Sequence, residues 1–535
     1  MRILIRSDAS IAMGSGHVMR CRNLARALRR RGAEVWFLCR EQPGDLIPML
    51  EGEFVVLRLA TLPDTLLCPE DRKGHTIYET WLGCSPLQDA ADCLEAVRRE
   101  STGGVDWVVV DHYGLDHTWE EAFCAGLRGV GCDTEPQLLV FDDLANRMHR
   151  AEVLVDANRL AASATGPYDS LVPGHCRLLL GPTYAPLDPL YGHLQPLAPQ
   201  RRELQRVLVF FGGTDQANHT ATALHALSAG SHDQLVVDVV LGRSAPHLAA
   251  IKQQVQRRAH TQLHCGLPNL AGLMMRADLA IGAAGTASWE RAALGLPAII
   301  TPVADNQRQG AEAIAKAGAA ILVGWPTAED AMEHLVASIQ GCIQNPDLLP
   351  LLSDRARNLG DGRGLDRIVT TMLGPGAERR CRPASIQDEN LYHAWANEPE
   401  VRRQSFQTDP IPLAEHQRWF RDRLHSANAL LQVFVDGEGL PLGQVRFERT
   451  DPEPWTCVVG FSLDPVARGH GLASELLTCG LRELTRHWGV TQEVYAEVKV
   501  SNAASAKALQ TAGFTESAAP RPGVRCFRKP VATTV

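Results

Sequence analysis

The first residues that could do chemistry stand near the start of the chain. The apolar run Met1–Arg6 gives way to Ser7-Asp8 and then to Gly14-Ser15-Gly16-His17; from His17 to Arg31 the apolar spacing is helical, and it stops at Gly32. A strand, a glycine-rich turn and a helix start, in that order, turn backbone N–H groups toward an anion. A histidine on the first turn of that helix stands at the carboxyl edge of the strand and titrates near neutrality, so it can move a proton there. Two turns of the same kind recur. Phe210-Phe211-Gly212-Gly213-Thr214-Asp215 closes one apolar run, and Gly282-Ala283-Ala284-Gly285-Thr286-Ala287-Ser288-Trp289-Glu290 follows another. Small residues let backbone approach a diphosphate, and Glu290 can accept hydrogen bonds from ribose hydroxyls. A fourth turn, Arg468-Gly469-His470-Gly471-Leu472-Ala473, lies between the strand-like run Thr456–Leu463 and the helical run Ser474–Trp488. It presents consecutive amides to a pyrophosphate.

The elements that must position these turns follow from apolar patterning. Met1–Arg6, Val35–Cys39, Trp107–Asp111 and Gln137–Asp142 read as strands separated by helical stretches. A second such series runs through Arg206–Phe211, Gln234–Leu241, Asp278–Ile281, Ala298–Pro302 and Ala319–Val323, after the Pro-rich connection Pro186–Pro199. This βαβ rhythm predicts parallel sheets covered by helices, with ligands beyond the carboxyl ends of the strands. Beyond Gly374–Arg380 strands follow one another with few helices between (Leu430–Val435, Pro441–Arg449, Thr456–Leu463), which predicts an α+β domain with a largely antiparallel sheet. The expected domains are 1–190, 200–372 and 380–535.

Composition bounds the function. The 535 residues exceed one ordinary core, and 45 % hydrophobic with 21 % charged residues is a globular balance. A net charge of −8 argues against a nucleic-acid partner. No apolar run approaches the roughly 20 residues of a membrane span, and Ser7-Asp8 interrupts the first one, so neither a membrane partner nor a secretory leader is expected. A cytosolic location is expected, with the 14 cysteines reduced and buried as small hydrophobes.

Across residues 1 to about 372 the chain resembles the UDP-2,4-diacetamido-2,4,6-trideoxy-β-L-altropyranose hydrolases of pseudaminic acid synthesis. The resemblance rests on Arg6-Ser7-Asp8, Gly14-x-Gly16-His17-x-x-Arg20, Asp111-His112-Tyr113, Asp142-Asp143, Gly212-Gly213-Thr214-Asp215 and Pro302-Val303-Ala304-Asp305-Asn306-Gln307. It implies a glycosyltransferase-B fold of two Rossmann-type halves, with UDP held mainly by the second, and inverting hydrolysis without a metal. It implies catalytic roles for His17, Tyr113 and Asn306, and substrate or UDP contacts from Gly14, Gly16, Arg20, Gly212, Gly213, Thr214, Gly285, Thr286, Ser288, Glu290 and Gln307.

Residues 380–535 resemble the GNAT family of N-acetyltransferases, on Arg382-Pro383-Ala384, Trp395-x-Asn397, the turn Arg468–Ala473, Asn502-Ala503-Ala504-Ser505 and Gly513-Phe514. Acetyl-CoA is the co-substrate so implied. Its pyrophosphate would lie on Arg468, Gly469, His470, Gly471, Leu472 and Ala473, its pantetheine arm along Phe461-Ser462-Leu463, and Asn502 would touch it. Many members carry a Tyr seven residues after that Asn as the acid for the leaving thiolate; this chain has Leu509, which leaves His393, His416 and Glu497 as proton handlers. The paired resemblances imply one chain that acetylates a UDP-linked amino sugar and then hydrolyses it. Transfer of the sugar to an acceptor, acetylation of a protein amine, and a non-enzymatic nucleotide-sugar regulator are the alternatives.

Overall fold

The apolar runs fold as strands and helices in a computed structural model, which describes residues 1–61, 77–100, 103–128, 134–159, 166–229, 232–324, 331–450, 456–489, 493–519 and 521–531. Two compact units result, Met1–Ile368 and Val369–Val535.

The first unit opens with β1 (Arg2–Ser7), α1 (Gly16–Arg30), β2 (Glu34–Arg40), α2 (Ile47–Glu51), β3 (Val55–Leu59), α3 (Ile77–Leu82), α4 (Pro86–Arg99), β4 (Trp107–Asp111), α5 (His117–Leu127), β5 (Gln137–Phe141), β6 (Val153–Asp156) and β7 (Arg177–Leu180). The strands pair in parallel in the order β3-β2-β1-β4-β5-β6-β7. β1 and β4 are buried along nearly their whole length, which is why they read as unbroken apolar runs rather than alternating ones. Gly32, at φ +84°, ends α1 in a conformation that only glycine adopts freely. The strand order reverses between β1 and β4, and their carboxyl ends carry the His17 turn and Asp111-His112-Tyr113.

The Pro-rich connection contains α6 (Pro189–Leu194). A second series follows: β8 (Arg206–Phe210), α7 (His219–Ala229), β9 (Val236–Leu241), α8 (Leu248–Arg257), β10 (Thr261–Cys265), α9 (Ala271–Arg276), β11 (Leu279–Ala283), α10 (Ala287–Ala293), β12 (Ala298–Thr301), α11 (Asp305–Lys316), β13 (Ile321–Leu322), α12 (Ala331–Gln344), α13 (Leu348–Arg357) and α14 (Gly364–Leu373). Its sheet is again parallel, β10-β9-β8-β11-β12-β13, and it reverses between β8 and β11, where Gly212-Gly213 and Gly285 lie.

The second unit holds β14 (Arg380–Pro383), α15 (Glu389–Asn397), α16 (Pro399–Gln404), α17 (Leu413–Leu424), β15 (Ala429–Val435), β16 (Pro441–Arg449), β17 (Thr456–Leu463), α18 (Ala473–Trp488), β18 (Glu493–Lys499), α19 (Ala503–Thr511), β19 (Thr515–Ser517) and β20 (Val524–Pro530). The sheet order is β14-β15-β16-β17-β18-β20-β19, antiparallel everywhere except between β17 and β18.

Some elements differ from their expected form. The run Ala319–Val323 keeps only two paired residues, Ile321 and Leu322, because β13 is a sheet edge. Strands β3, β6, β7 and β10 join the sheets although their sequences are mixed; β10 and β7 lie at edges and are only partly buried. Cys265 in β10 is exposed and Cys84 and Cys176 are half-buried, so burial does not extend to every cysteine.

One buried arginine ties the second sheet's helices together. Arg201 is 2 % exposed, and its guanidinium donates to the carbonyls of Met274 and Ala277 at the carboxyl end of α9 and of Leu294 and Gly295 just past α10. Helix carboxyl ends leave such carbonyls without intrahelical partners, and a cation there also meets the negative end of the helix dipole. Replacing Arg201→Met is expected to destabilise the first unit by about 2–4 kcal/mol, because several buried acceptors lose their donor together. Urea unfolding followed by tryptophan fluorescence checks this, and an unchanged midpoint contradicts it.

Candidate active sites

The first site is built on the reversal point of the first sheet. After β1 the chain turns tightly: Gly14 N donates to Ser10 O at 2.8 Å, and Gly14 sits at φ +79°. Ser15 precedes α1 and makes no side-chain cap, so the first-turn amides of α1 are left for a ligand or solvent. His17 projects from that turn and is 7 % exposed. Its ring meets the Tyr113 ring edge-on, with centroids 4.5 Å apart. Nε2 faces Asp111 Oδ1 at 3.9 Å, while Nδ1 is buried and has no hydrogen-bond partner. Burial holds the imidazole below its ordinary pKa; Asp111 pulls it up and Arg20 pushes it down again. A neutral imidazole with one unpartnered nitrogen is a competent base.

Carboxylates frame this pair. Arg20, one turn along α1, grips both oxygens of Asp111 at 2.6 Å and Asp143 Oδ2 at 2.8 Å. Tyr113 donates its hydroxyl to the same Asp143 oxygen at 2.7 Å. Burial alone would raise Asp111, but Arg20 and His17 keep it below the usual carboxylate range. Behind it, Arg6 joins Asp8 at 2.5 Å and Asp89 at 2.9 Å, and Arg40 reaches Asp89 at 2.6 Å, all at 2 % exposure or less. His112 accepts from Gly114 N at 3.0 Å, and burial pushes it down to about 4, so it is a neutral structural group.

The second half of the unit brings different chemistry. Gly212 is at φ +104°, and Gly213 O accepts from Gly242 N at 2.8 Å, so two strand ends meet at backbone distance. Gly213 and Thr214 are exposed on this turn. Gln307 accepts from Val303 N at 3.1 Å and stands beside Gly285, where an added Cβ would meet its amide nitrogen at 3.3 Å. Asn306 is half-buried in the first turn of α11. Burial pushes Glu290 up to about 7.

The structure thus gathers His17, Arg20 and Tyr113 in one cluster, and Gly285, Asn306 and Gln307 around another turn. Several expected ligand contacts are engaged inside the protein, Gln307 with Val303 N among them. Arg20 is taken by its two carboxylates, and the Ser288 hydroxyl is 6 % exposed and accepts from Arg291 at 2.8 Å. Sequence reading missed Tyr78 of α3. Its ring contacts Tyr113 at 5.2 Å, and its hydroxyl is pushed up by burial and by the carboxylate of Asp305, so it stands near both clusters. No spacing pattern marks it. Among the described residues no group of three or more His, Cys, Asp and Glu is arranged to hold a metal ion, and no helix is long and apolar enough to cross a membrane.

A second candidate site lies on the second unit's sheet. Among the described residues β17 and β18 pair only through Thr456–Glu493, Cys457–Val494 and Val458–Tyr495. Past Val458 the strands part, and Phe461-Ser462-Leu463 keeps partners on the β16 side alone. The opened edge offers backbone groups to an extended ligand. The turn beyond has Gly469 at φ +83° and Gly471 at φ +72°, with no atom within 4 Å of either missing Cβ. Leu472 caps α18 with no side-chain bond, leaving first-turn amides for an anion. Arg468 is tied to Glu398 at 2.7 Å and to Leu463 O, which fixes the turn from behind. Asn502 caps α19 by accepting from Ser505 N at 3.0 Å.

Leu509 is fully buried in the core and has no proton to give. His393 and His416 face each other at 5.1 Å, each against a backbone carbonyl; burial, with His393 beside it, pushes His416 down to about 4. Glu497 pairs with Arg521 at 3.3 Å. Tyr495, overlooked in the sequence, stands where β17 and β18 part and is raised by burial.

Known proteins resemble separate stretches of the chain. Residues 207–358 match the glycosyltransferase family 28 C-terminal domain, and residues 380–515 match the GNAT acetyltransferase domain. The spore coat polysaccharide biosynthesis protein SpsG of Bacillus subtilis is 25 % identical over 205 residues, 38 % of this chain and 59 % of SpsG, less than two thirds of that protein's length. The uncharacterized Methanocaldococcus jannaschii protein MJ1062 is 22 % identical over 470 residues, 85 % of this chain and 84 % of that protein. The crystal structure of Acinetobacter baumannii MurG superposes with a TM-score of 0.46 at 15 % identity, covering 69 % of this chain and 99 % of MurG.

Gly471→Asp is expected to weaken acetyl-CoA binding at least tenfold. The change forces a side chain into φ > 0 and sets a carboxylate against a pyrophosphate on an amide-lined turn. Calorimetric titration with CoA checks this, and unchanged affinity contradicts the placement.

Proposed function

From a chain that joins a glycosyltransferase family 28 C-terminal domain to a GNAT acetyltransferase domain, we propose a bifunctional nucleotide-sugar enzyme. The GNAT domain acetylates the 4-amino group of a UDP-linked amino sugar. Residues 1–372 then hydrolyse the product, UDP-2,4-diacetamido-2,4,6-trideoxy-β-L-altropyranose, to free sugar and UDP. The observation that carries the hydrolytic reading is His17: a buried imidazole, kept neutral, with Nδ1 unpartnered at the reversal point of a parallel sheet.

In this reading water attacks the anomeric carbon while its proton passes to His17. The bond from that carbon to the diphosphate oxygen breaks, its electron pair leaves with UDP, and the configuration inverts. Tyr113 and Asn306 orient water and sugar. The diphosphate meets backbone amides of the glycine turns at Gly14–Gly16, Gly212–Gly213 and Gly285, and fixed dipoles aimed at developing charge lower the barrier. Glu290 accepts from the ribose. In the acetyl step the neutral amine attacks the thioester carbonyl held in the gap beyond Val458, the C–S bond breaks with its electron pair leaving on the CoA thiolate, and the new amide nitrogen gives up its extra proton to water. With Leu509 unable to protonate the thiolate, Tyr495 is the candidate donor at the head of the gap; Tyr495→Phe should lower kcat for acetyl transfer and leave the KM for acetyl-CoA unchanged.

The family 28 match favours a second reading, transfer of the sugar to an acceptor. Incubation of the UDP-4-amino sugar with acetyl-CoA and no acceptor separates the two, because hydrolysis releases free diacetamido sugar and transfer releases none. His17→Ala should lower that release by about 10²-fold or more, the usual worth of a general base, with acetylation intact. The acid limb of the hydrolysis profile should fall below about pH 6.5, the unperturbed histidine value, since burial lowers the His17 pKa. Full activity of His17→Ala overturns the assignment.

A further inference from the structure

We propose that Arg20 is the positioning residue of the first site: by clamping Asp111 and Asp143 it fixes both partners of the His17–Tyr113 pair and offsets their charge, and it does not itself hold the substrate's diphosphate. The proposal rests on the reading of His17 as the base. Three of the guanidinium's nitrogens are committed: Nε and Nη2 to the two oxygens of Asp111 at 2.6 Å, and Nη1 to Asp143 at 2.8 Å. Its Cζ lies over the Phe141 ring, 5.1 Å from the centroid. A planar fork held on both edges has little freedom to reach a phosphate.

What the clamp controls is visible in its partners. Asp111 is fully buried and faces His17 Nε2 at 3.9 Å, and it also takes the Cys21 thiol at 3.4 Å. Asp143 receives the Tyr113 hydroxyl, whose ring packs edge-on against His17. The cation therefore stands one residue removed from the base on two sides. The groups that act on His17 are Asp8 after β1, Asp111 at the end of β4 with His112 and Tyr113 beyond it, Asp143 after β5, and Arg20 on α1 itself. Arg20 is the cation among them, and two of the three carboxylates are on it. Without it, Asp111 and Asp143 would favour the imidazolium, and a protonated His17 cannot accept a proton from water.

The sign follows. Loss of Arg20 raises the His17 pKa, so the neutral fraction at a given pH falls and the acid limb of hydrolysis moves to higher pH. Arg20→Met should shift that limb upward by about one pH unit or more, the usual effect of an opposed charge at 4–6 Å. It should lower kcat at neutral pH and change the Kd for UDP less than threefold. Arg20→Lys keeps the charge and should keep the limb within a few tenths of a unit, with kcat reduced by the lost bidentate grip. Arg20→Met combined with Asp143→Asn removes the surplus charge and should bring the limb back toward its original position, which also separates electrostatics from misfolding. NMR titration of the His17 ring in the same variants reads the shift directly, whether or not His17 is the base. A tenfold or larger loss of UDP affinity in Arg20→Met, with the His17 titration unmoved, makes Arg20 a phosphate ligand and overturns the proposal. Full hydrolysis by His17→Gln with the titration shift intact fails the base assignment and leaves the Arg20 coupling standing.

Discussion

A parallel sheet delivers its loop residues to one edge, and in the first sheet of this chain that edge is crowded with buried carboxylates. Asp8, Asp111, Asp142 and Asp156 are each at most 1 % exposed. Ionised groups removed from water cost several kcal/mol each unless they are paired and hydrogen-bonded. Each has its arginine: Arg6 for Asp8, Arg20 for Asp111, Arg147 for Asp142 at 2.9 Å and Arg159 for Asp156 at 3.1 Å. The strand order makes this possible, since β1 lies between β2 and β4 and so brings Arg6 within reach of Asp89 on α4. His17 sits inside this lattice of charge, and its proton affinity depends on how nearly the lattice cancels.

The second half of the same unit offers an anion other means of binding. Its reversal point carries glycine turns and helix starts, where backbone amides supply the positive potential. Arg201 and Arg291 are buried there, but both point at carbonyls or a hydroxyl and support helices and turns from within. An amide-lined turn suits a diphosphate, and a charge-balanced pocket with a neutral imidazole suits the carbon where a bond must break. In the second unit the opened seam between β17 and β18 is an edge that the sheet itself leaves unpaired, and the double-glycine turn lies at its end.

The sequence carried the site's local parts plainly. Strand, glycine turn and helix start occur within about twenty residues, so His17, Gly212-Gly213, Gly285 and the Gly469–Gly471 turn could be placed before any coordinates. Leu509 in place of a tyrosine was equally legible, and its burial fits its apolar character. The long-range partners were not. Asp89 and Arg6 are 83 positions apart, and Asp143 and Arg20 are 123 apart, so no periodicity joins them. Arg20 entered as a ligand contact through the resemblance carried by Gly14-x-Gly16-His17-x-x-Arg20, and its place one turn after His17 says nothing of the carboxylates it meets. Tyr78 and Tyr495 are single aromatic residues whose positions depend on strand order and on a pairing that stops midway, and both are tertiary facts.

The central claim is that water cleaves the bond at the anomeric carbon of a nucleotide sugar in the His17 site. Turnover of the diacetamido UDP-sugar in ¹⁸O-enriched water, followed by mass spectrometry of both products, tests it most directly. The account predicts the label in the free sugar, none in UDP, and no requirement for an acceptor. Label in a phosphate, or turnover that appears only when an acceptor is supplied, would contradict it.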